Sequence, residues 1–206
     1  MAEKLKRILD FAGSAIALAL LSPILTLLAL AVRTTSSGPV LFRQRRLGVG
    51  GIPFSILKFR TMLDGAEDIR NPDGSAYSAT DDPRVTALGR FMRKTSLDEL
   101  PQFWNVLRGD MSLVGPRPDQ VDQLRYYTPE DRLKLRMRPG ITGLAQISGR
   151  NRISWERRRQ LDAQYVTQWS LAMDIRILLS TVPYVLLRRD IHTEDQNANR
   201  NSTAAA

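Results

Sequence analysis

The stretch 95-TSLDELPQFWNVLRGDMSLVGPRPDQ-120 places two adjacent carboxylates, Asp98 and Glu99, directly before a segment of helical character. Further along, Arg117 stands alone between two prolines. Ser96 and Glu99 have the spacing of a capping box, and Asp98 could itself be the N-cap residue. Both arrangements predict a helix that begins at the acidic pair and ends near the next glycine. On this interpretation the two carboxylates do no more than cap a helix.

A chemical interpretation uses the same residues. An ionised aspartate is a competent nucleophile toward phosphorus. Adjacent carboxylates repel each other, and a divalent cation relieves that repulsion; Mg²⁺ suits such oxygen ligands and keeps phosphate oxygens in its shell. The prolines around Arg117 restrict its backbone, and its planar guanidinium matches phosphate in two hydrogen bonds. Acidic pair, metal and restrained arginine together predict phosphoryl transfer.

Composition narrows the classes of protein to consider. The 206 residues suffice for one core, and the absence of cysteine excludes disulfides, thiolate nucleophiles and cysteine-ligated zinc. The only histidine, His192, lies in a polar stretch, so histidine chemistry is not expected. The net charge of +9 favours an anionic partner, either nucleic acid, anionic lipid or phosphorylated small molecules, although a plain solvated surface would also carry it.

Residues 11–32 contain no charge and, as a helix, would be roughly 33 Å long, enough to cross a bilayer. Pro23 lacks a backbone donor and opposes the carbonyl of Ala19, and Ser22 can bond back to the preceding turn. Basic residues flank both ends, which favours keeping both ends on the cytoplasmic side. We therefore predict a re-entrant membrane helix over residues 1–36 with a break at Ser22-Pro23.

Two other interpretations of this segment stay open. A signal peptide could end at the Ala-Leu-Ala of residues 29–31, but the central proline and the basic cluster beyond it disfavour cleavage. An ordinary spanning helix is the second, because membrane helices tolerate proline. Attachment to a membrane is the main expectation.

The fold class expected for the rest is α/β and mainly helical. Alternating apolar residues on both sides of a glycine cluster predict a β-hairpin at the start of a catalytic domain over residues 37–189. A loop is expected over residues 64–82, and a helix after it with Val85, Leu88, Phe91 and Met92 on one face. The helix predicted over residues 173–189 either packs in the core or lies at the membrane interface. Residues 190–206 form a polar tail that is expected to be disordered.

Several motifs resemble the monotopic phosphoglycosyl transferases of the bacterial sugar transferase family. They are SLDELPQFWNVLRGDMSLVGPRP at 96–118, RPGITGLAQISGRN at 138–151, and the pairs Lys6-Arg7 and Ser22-Pro23. The similarity extends over nearly the whole chain, from about residue 4 to residue 189. Some family members carry Glu where this chain has Asp119, which leaves the role of that position open.

The resemblance implies transfer of a phosphosugar from a UDP-sugar to polyprenyl (undecaprenyl) phosphate, with release of UMP, on the cytoplasmic face of the bacterial inner membrane. It implies that Asp98 is the nucleophile, that Glu99 is its partner in binding Mg²⁺, and that Arg117 binds phosphate. It also implies that Ser22-Pro23 breaks the membrane helix. Further basic residues are candidates for contacts to the nucleotide or its phosphates: Lys58, Arg60, Arg138 and Arg150.

A non-catalytic, basic peripheral membrane protein that binds anionic lipid or nucleic acid is the competing hypothesis. It accounts for the charge and the anchor but gives no reason for Asp98 and Glu99 beside Arg117. Nucleic acid is not an expected partner, because no recognisable binding module or aromatic stacking motif is present. Membrane lipids are expected partners, and a homo-oligomer stays open.

Overall fold

The computed structural model describes residues 1–70, 77, 82–149 and 153–186, with only the backbone for 184–186. Within these ranges the chain is mainly helical, with a long apolar N-terminal helix. The helices are α1 (Ala2–Thr35), α2 (Ala87–Thr95), α3 (Gln102–Arg108), α4 (Leu144–Ile147), α5 (Trp155–Gln168) and α6 (Leu171–Leu186). Short 3-10 helices cover Val49–Gly51, Leu97–Glu99, Val121–Tyr126 and Asp131–Arg136.

The predicted β-hairpin is confirmed. Strands β1 (Leu41–Leu47) and β2 (Pro53–Phe59) pair in antiparallel fashion, with Leu41 opposite Phe59. The connection includes Gly50 at φ 66°, a left-handed conformation that glycine adopts without a steric penalty.

A second, parallel pair of strands was not predicted. It consists of β3 (Ser112–Val114) and β4 (Gly140–Thr142), with Ser112 opposite Gly140. A Cβ atom added to Gly140 would lie 2.1 Å from the backbone nitrogen of Gly115, so only glycine permits this approach. Strands of three residues carry too little alternation to be recognised in a sequence.

Helix α1 continues through Ser22 and Pro23. The Ser22 hydroxyl donates a hydrogen bond of 2.9 Å to the carbonyl of Ala19, as the sequence predicted. That carbonyl is the one that Pro23, four residues on, cannot serve because it has no N–H. Both halves belong to one helix, so a change of direction here would be a bend within α1 rather than a gap between two helices. The re-entrant path stays a prediction.

Polar side chains fasten the first turns of α1 to the globular domain. The Lys6 ammonium donates to the carbonyl of Val114 at 2.9 Å and forms an ion pair of 2.7 Å with Asp174 of α6. The Asp10 carboxylate accepts a hydrogen bond of 2.8 Å from the hydroxyl of Ser112. Buried charges persist only when they are paired in this way. The start of α1 is therefore fixed to β3 and α6.

The far end of α1 packs against the same domain. Leu28 and Val32 form a core cluster with Phe59 of β2 and Met92 of α2. Between its two ends the helix is long and apolar enough to cross a membrane, and only 11% of its most apolar window is buried. Its exposed apolar side chains include Ile8, Leu9, Phe11, Ile16, Leu20, Ile24, Leu27 and Leu30.

The remaining helices lie close to the predicted positions, but not every side chain lies where the sequence placed it. Helix α2 follows Pro83 as predicted, but it begins at Ala87, so the assignment of Val85 to this helix is wrong. Met92 is buried, whereas Phe91 is 51% exposed. In α6, Ile177 is buried while Leu179 is exposed, so one face packs in the core and the other does not. Most of the loop predicted over 64–82 and all of the tail 190–206 lie outside the described residues.

Candidate active site

A 3-10 helix, Leu97–Glu99, carries the acidic pair between α2 and α3. Ser96 before it is left-handed, with φ 58° and ψ 17°, and its side chain caps no helix. Helix α3 begins at Gln102 after Pro101, which also provides no side-chain cap. Both capping predictions are therefore wrong. The physical reason is that Ser96 closes α2, and a separate turn holds the carboxylates before α3 begins.

The Glu99 carboxylate lies between two cations. Its Oε1 accepts hydrogen bonds from the ammonium of Lys58 at 2.7 Å and from the guanidinium of Arg117 at 2.8 Å. Burial by itself would raise the pKa of Glu99, but the attraction of Arg117 and Lys58 outweighs it and holds that pKa well below the usual value. Strand β2, the 3-10 helix and the loop after β3 thus meet at one ionised carboxylate.

Asp98 is in a different situation. Its side chain is buried, with the residue 8% exposed. Across the described ranges neither of its oxygens accepts a hydrogen bond or forms an ion pair. Burial raises the pKa of Asp98 to about 6, with Lys58 acting to lower it and the neighbouring charge of Glu99 acting to raise it. At neutral pH this carboxylate is mostly ionised, and its lone pairs are uncommitted.

Two further arginines face this region, and sequence reasoning missed both. The Nε of Arg93, in α2, donates to the hydroxyl of Thr61 at 2.9 Å, and the charge of Arg93 acts electrostatically on Asp98. Arg46 in β1 donates to the carbonyl of Pro118 at 3.3 Å, and burial lowers its pKa to about 10. The alternation of β1 was the available signal, because it separates Arg46 from Arg45 on the opposite face of the strand.

Behind Arg117 lies a second set of buried charges, the Lys134 cluster, formed by Asp119, Tyr127, Lys134 and Asp162. The ammonium of Lys134 is 2.9 Å from the Asp119 carboxylate and 2.7 Å from that of Asp162. The Tyr127 hydroxyl donates to Asp119 at 2.6 Å. Asp119 therefore connects the end of the Pro-Arg-Pro loop to Lys134 and Tyr127. No pattern in the sequence connects these residues.

The other predicted basic residues are not brought to the pair. Arg60 is buried and donates to the carbonyls of residues 36–38, including that of Ser36 at 3.0 Å. Arg138 is bound to the carbonyl of Gly109 at 3.0 Å. Both guanidiniums thus serve backbone oxygens away from the acidic pair. Arg150 lies outside the described residues. Of the four candidates, Lys58 is the one that the structure places beside Glu99.

The acidic pair fits the requirements of Mg²⁺. Within the described ranges no third His, Cys, Asp or Glu joins it to make a metal cluster. Oε2 of Glu99 and both oxygens of Asp98 have no hydrogen-bond partner there. Mg²⁺ is commonly held by one or two carboxylates and completes its octahedron with water and substrate phosphates. A donor set of this size suits a metal that arrives with a phosphorylated substrate.

Comparison with known proteins identifies the family. Residues 1–188 match the profile of the family described as bacterial sugar transferase. The chain belongs to that family. It is 48% identical over 189 residues to the UDP-glucose:undecaprenyl-phosphate glucose-1-phosphate transferase of Caulobacter vibrioides, covering 88% of this chain and 69% of that relative.

Other relatives differ in length. The exopolysaccharide production protein ExoY of Rhizobium meliloti is 44% identical over 195 residues, which cover 89% of this chain and 86% of ExoY. The galactosyl transferase CpsE of Streptococcus agalactiae is 45% identical over 190 residues, but these are only 42% of CpsE. The chain therefore corresponds to most of the shorter relatives and to less than half of CpsE.

Proposed function

We propose that this protein transfers a phosphosugar from a UDP-sugar to polyprenyl phosphate, giving polyprenyl diphosphate-sugar and UMP. The observation that carries the proposal is that the two carboxylates of the acidic pair have different hydrogen-bond partners. Glu99 accepts hydrogen bonds from both Lys58 and Arg117, whereas Asp98 is buried, ionised and uncommitted. The names of relatives with undecaprenyl-phosphate sugar-1-phosphate transferase activity support the same reaction.

The reaction runs in two displacements. In the first, an oxygen of Asp98 forms a bond to the phosphorus that bears the sugar, and the bond from that phosphorus to the bridging oxygen breaks. UMP leaves with the electron pair, and an aspartyl phosphosugar remains on the enzyme. In the second, an oxygen of polyprenyl phosphate attacks the same phosphorus. The bond to Asp98 breaks, and the carboxylate is restored.

The residues around Asp98 stabilise this transfer. Lys58 and Arg117 are held by Glu99 within reach of negative charge that develops on the phosphoryl oxygens. The guanidinium of Arg117 is 42% exposed at its side chain, so a phosphate can reach its free donors. Mg²⁺ held by Asp98 and Glu99 would neutralise phosphate charge when the sugar nucleotide is bound.

The membrane helix is proposed to enter and leave the cytoplasmic leaflet of the bacterial inner membrane. Lys6 at its start and Leu28 near its end both contact the one globular domain. A helix that crossed the bilayer would place these positions on opposite sides of about 30 Å of hydrocarbon. The Ser22 hydrogen bond to Ala19 compensates for the donor missing at Pro23, as a bend there requires.

The test is a panel of UDP-sugars incubated with the full chain in detergent or lipid nanodiscs, with Mg²⁺ and without lipid acceptor. We expect one sugar to release UMP in an amount limited by the enzyme and to add a phosphosugar mass to the peptide containing Asp98. Undecaprenyl phosphate should remove that mass and allow multiple turnovers. A chelator should suppress UMP release.

Two outcomes would contradict the proposal. UMP release that requires the lipid acceptor, with no adduct at any time, would mean direct transfer without an aspartyl intermediate. Absence of UMP release with every sugar, together with tight binding to vesicles of anionic lipid, would favour the non-catalytic peripheral membrane protein.

A further inference from the structure

An apolar cavity lies directly beside Glu99. Its volume is about 210 Å³, and it is bounded by residues 95–103, residues 141–147 and Thr181 of α6. Most of its lining is hydrocarbon, from Leu97, Leu100, Phe103, Ile141 and Ile147. A dry apolar cavity of about 150 Å³ accepts benzene. This cavity therefore has room for an apolar group somewhat larger than benzene, next to Glu99.

One polar side chain in the lining lacks partners. Gln146 is 7% exposed, and in the part of the chain that the structure describes neither its Nε2 nor its Oε1 has a hydrogen-bond partner. By contrast, the hydroxyls of Thr142 and Thr181 in the same lining bond to each other at 2.8 Å. A buried amide with no partner is unfavourable in the free protein, and it is explained when a ligand supplies the partner.

The cavity lies between the core around α1 and helix α6. Leu97 and Leu100 also pack against the core cluster that contains Leu28 of α1. Thr181 belongs to α6, where Leu179 is 70% exposed. The cavity thus lies against both of the long helices that expose apolar side chains.

Resting on the proposed function, we propose that this cavity binds the phosphate-proximal isoprene unit of the lipid acceptor and that the Gln146 amide donates to an oxygen of its phosphate. The acceptor joins a hydrocarbon chain to an anion that must reach Asp98, and the cavity joins a hydrocarbon lining to Glu99. Apart from the Gln146 amide the lining is mainly hydrocarbon, so a sugar or a uracil ring would leave most of its hydroxyls or carbonyls facing hydrocarbon here. The cavity therefore selects the lipid substrate and not the sugar nucleotide.

The test separates the two half-reactions in the full-length, membrane-reconstituted protein, using the UDP-sugar that is active in the panel. Thr181→Phe fills the cavity, Thr181→Val removes only the hydroxyl, and Leu179→Phe places the same ring on the uncovered face of α6. We expect Thr181→Phe to raise the KM for undecaprenyl phosphate at least tenfold. Its single-turnover release of UMP without lipid should change much less than that KM does. Thr181→Val should raise the KM less than Thr181→Phe does, and Leu179→Phe should leave both measurements within twofold.

Gln146→Leu distinguishes a ligand-binding amide from a structural one. It removes an unpartnered buried amide, so the Tm of the free protein should rise while the KM for undecaprenyl phosphate also rises. A lower Tm with an unchanged KM would overturn the role of Gln146. An unchanged KM in Thr181→Phe, or an equal rise in Leu179→Phe, would overturn the cavity as the acceptor site.

A binding experiment tests this inference independently of the proposed reaction. A photoreactive farnesyl phosphate should label residues 95–103 or 141–147, and undecaprenyl phosphate should compete, whether or not any UDP-sugar is turned over. Labelling confined to other segments would overturn the cavity. Competition by phosphatidylglycerol vesicles as effective as that by undecaprenyl phosphate would overturn the acceptor as its occupant. If the wild-type protein is labelled in these segments but releases no UMP, only the proposed reaction is rejected.

Discussion

The acidic pair and the Lys134 cluster each combine two carboxylates with basic side chains, but they distribute charge in opposite ways. In the Lys134 cluster one ammonium serves Asp119 and Asp162 at 2.9 Å and 2.7 Å, so each carboxylate has a partner. In the acidic pair two cations serve Glu99 alone, and Asp98 receives neither hydrogen bond.

The difference shows in the pKa values. Burial would raise the pKa of Asp119, but Lys134 and the Tyr127 hydroxyl lower it below its ordinary value. The same burial raises the pKa of Asp98 to about 6, because its nearest cations are bound to Glu99. Shared cations stabilise a loop, whereas withholding them from one carboxylate leaves Asp98 available for the attack on phosphorus that we propose.

The largest effect is expected for Asp98→Asn. Removing a catalytic nucleophile lowers turnover by at least about 10⁴-fold, and the variant should never acquire the phosphosugar adduct. The fold should gain stability. A carboxylate whose folded pKa is raised loses stability as pH rises from its unfolded pKa through about 6, and the amide avoids that loss.

The gain should therefore be absent below pH 4 and reach at most about 2–3 kcal/mol above pH 7, measured by chemical unfolding in a chelator. Asp110→Asn, on a partly exposed carboxylate near the end of α3, is the control for loss of one acid. If Asp98→Asn and the wild type were equally stable at pH 7, the buried charge of Asp98 would not lower the stability of the fold.

Glu99→Gln should make the acidic pair resemble the Lys134 cluster, in which each carboxylate has a cation as its partner. The amide no longer holds Lys58 and Arg117 as a charge, so both cations become available to Asp98 and lower its pKa. We expect turnover to fall by about 10²–10³-fold, because the phosphate-binding cations are misplaced. The acid limb of single-turnover UMP release should lie at lower pH than in the wild type. An unmoved limb would show that Glu99 does not control Asp98.

Lys134→Met breaks the paired cluster. It leaves the buried carboxylates of Asp119 and Asp162 without their cation, which typically costs about 3–5 kcal/mol of stability. The loop that carries Arg117 should loosen, so the KM for the UDP-sugar should rise more than single-turnover kcat falls. Replacing Lys134 together with both carboxylates by apolar residues should recover most of the stability. Failure to recover it would mean that Lys134 acts outside the cluster.

The smallest effect is expected for Tyr127→Phe. It removes one donor of 2.6 Å to Asp119 and leaves the contact with Lys134 in place. The loss should be about 1 kcal/mol in unfolding free energy, with turnover within twofold of wild type. A loss of turnover as large as that of Lys134→Met would show that the phenol, and not the ammonium, positions the loop.

The sequence predicted what depends on residue type and short-range pattern. Alternation and a glycine turn predicted the β-hairpin, and the chemistry of Asp98, Glu99 and Arg117 predicted one site before its geometry was known. The sequence could not predict that Lys58 would lie beside Glu99. That position depends on the register between β1 and β2 and on the packing of β2 against the 3-10 helix, and both are tertiary contacts.

The wrong and missing assignments share a cause. Ser96 fits a capping box by spacing, yet it closes α2 in a left-handed conformation that the spacing does not anticipate. Arg60 and Arg138 were candidates by charge alone, and both are bound to backbone carbonyls. Lys134 lies in a polar segment with no motif, although its ammonium fixes the loop that presents Arg117.

The attachment of α1 through Lys6 and Asp10 has a consequence for the order of events during synthesis. Lys6 meets its partner Asp174 across 168 positions of sequence, and Asp10 meets Ser112 across 102. At about 5–20 residues per second, the ribosome takes roughly 8–34 s to make the chain between Lys6 and Asp174. Throughout that interval an apolar helix with unmatched charges exists without its domain. The helix must therefore settle in lipid or on a chaperone first, and the enzyme is completed only when α6 arrives to neutralise Lys6.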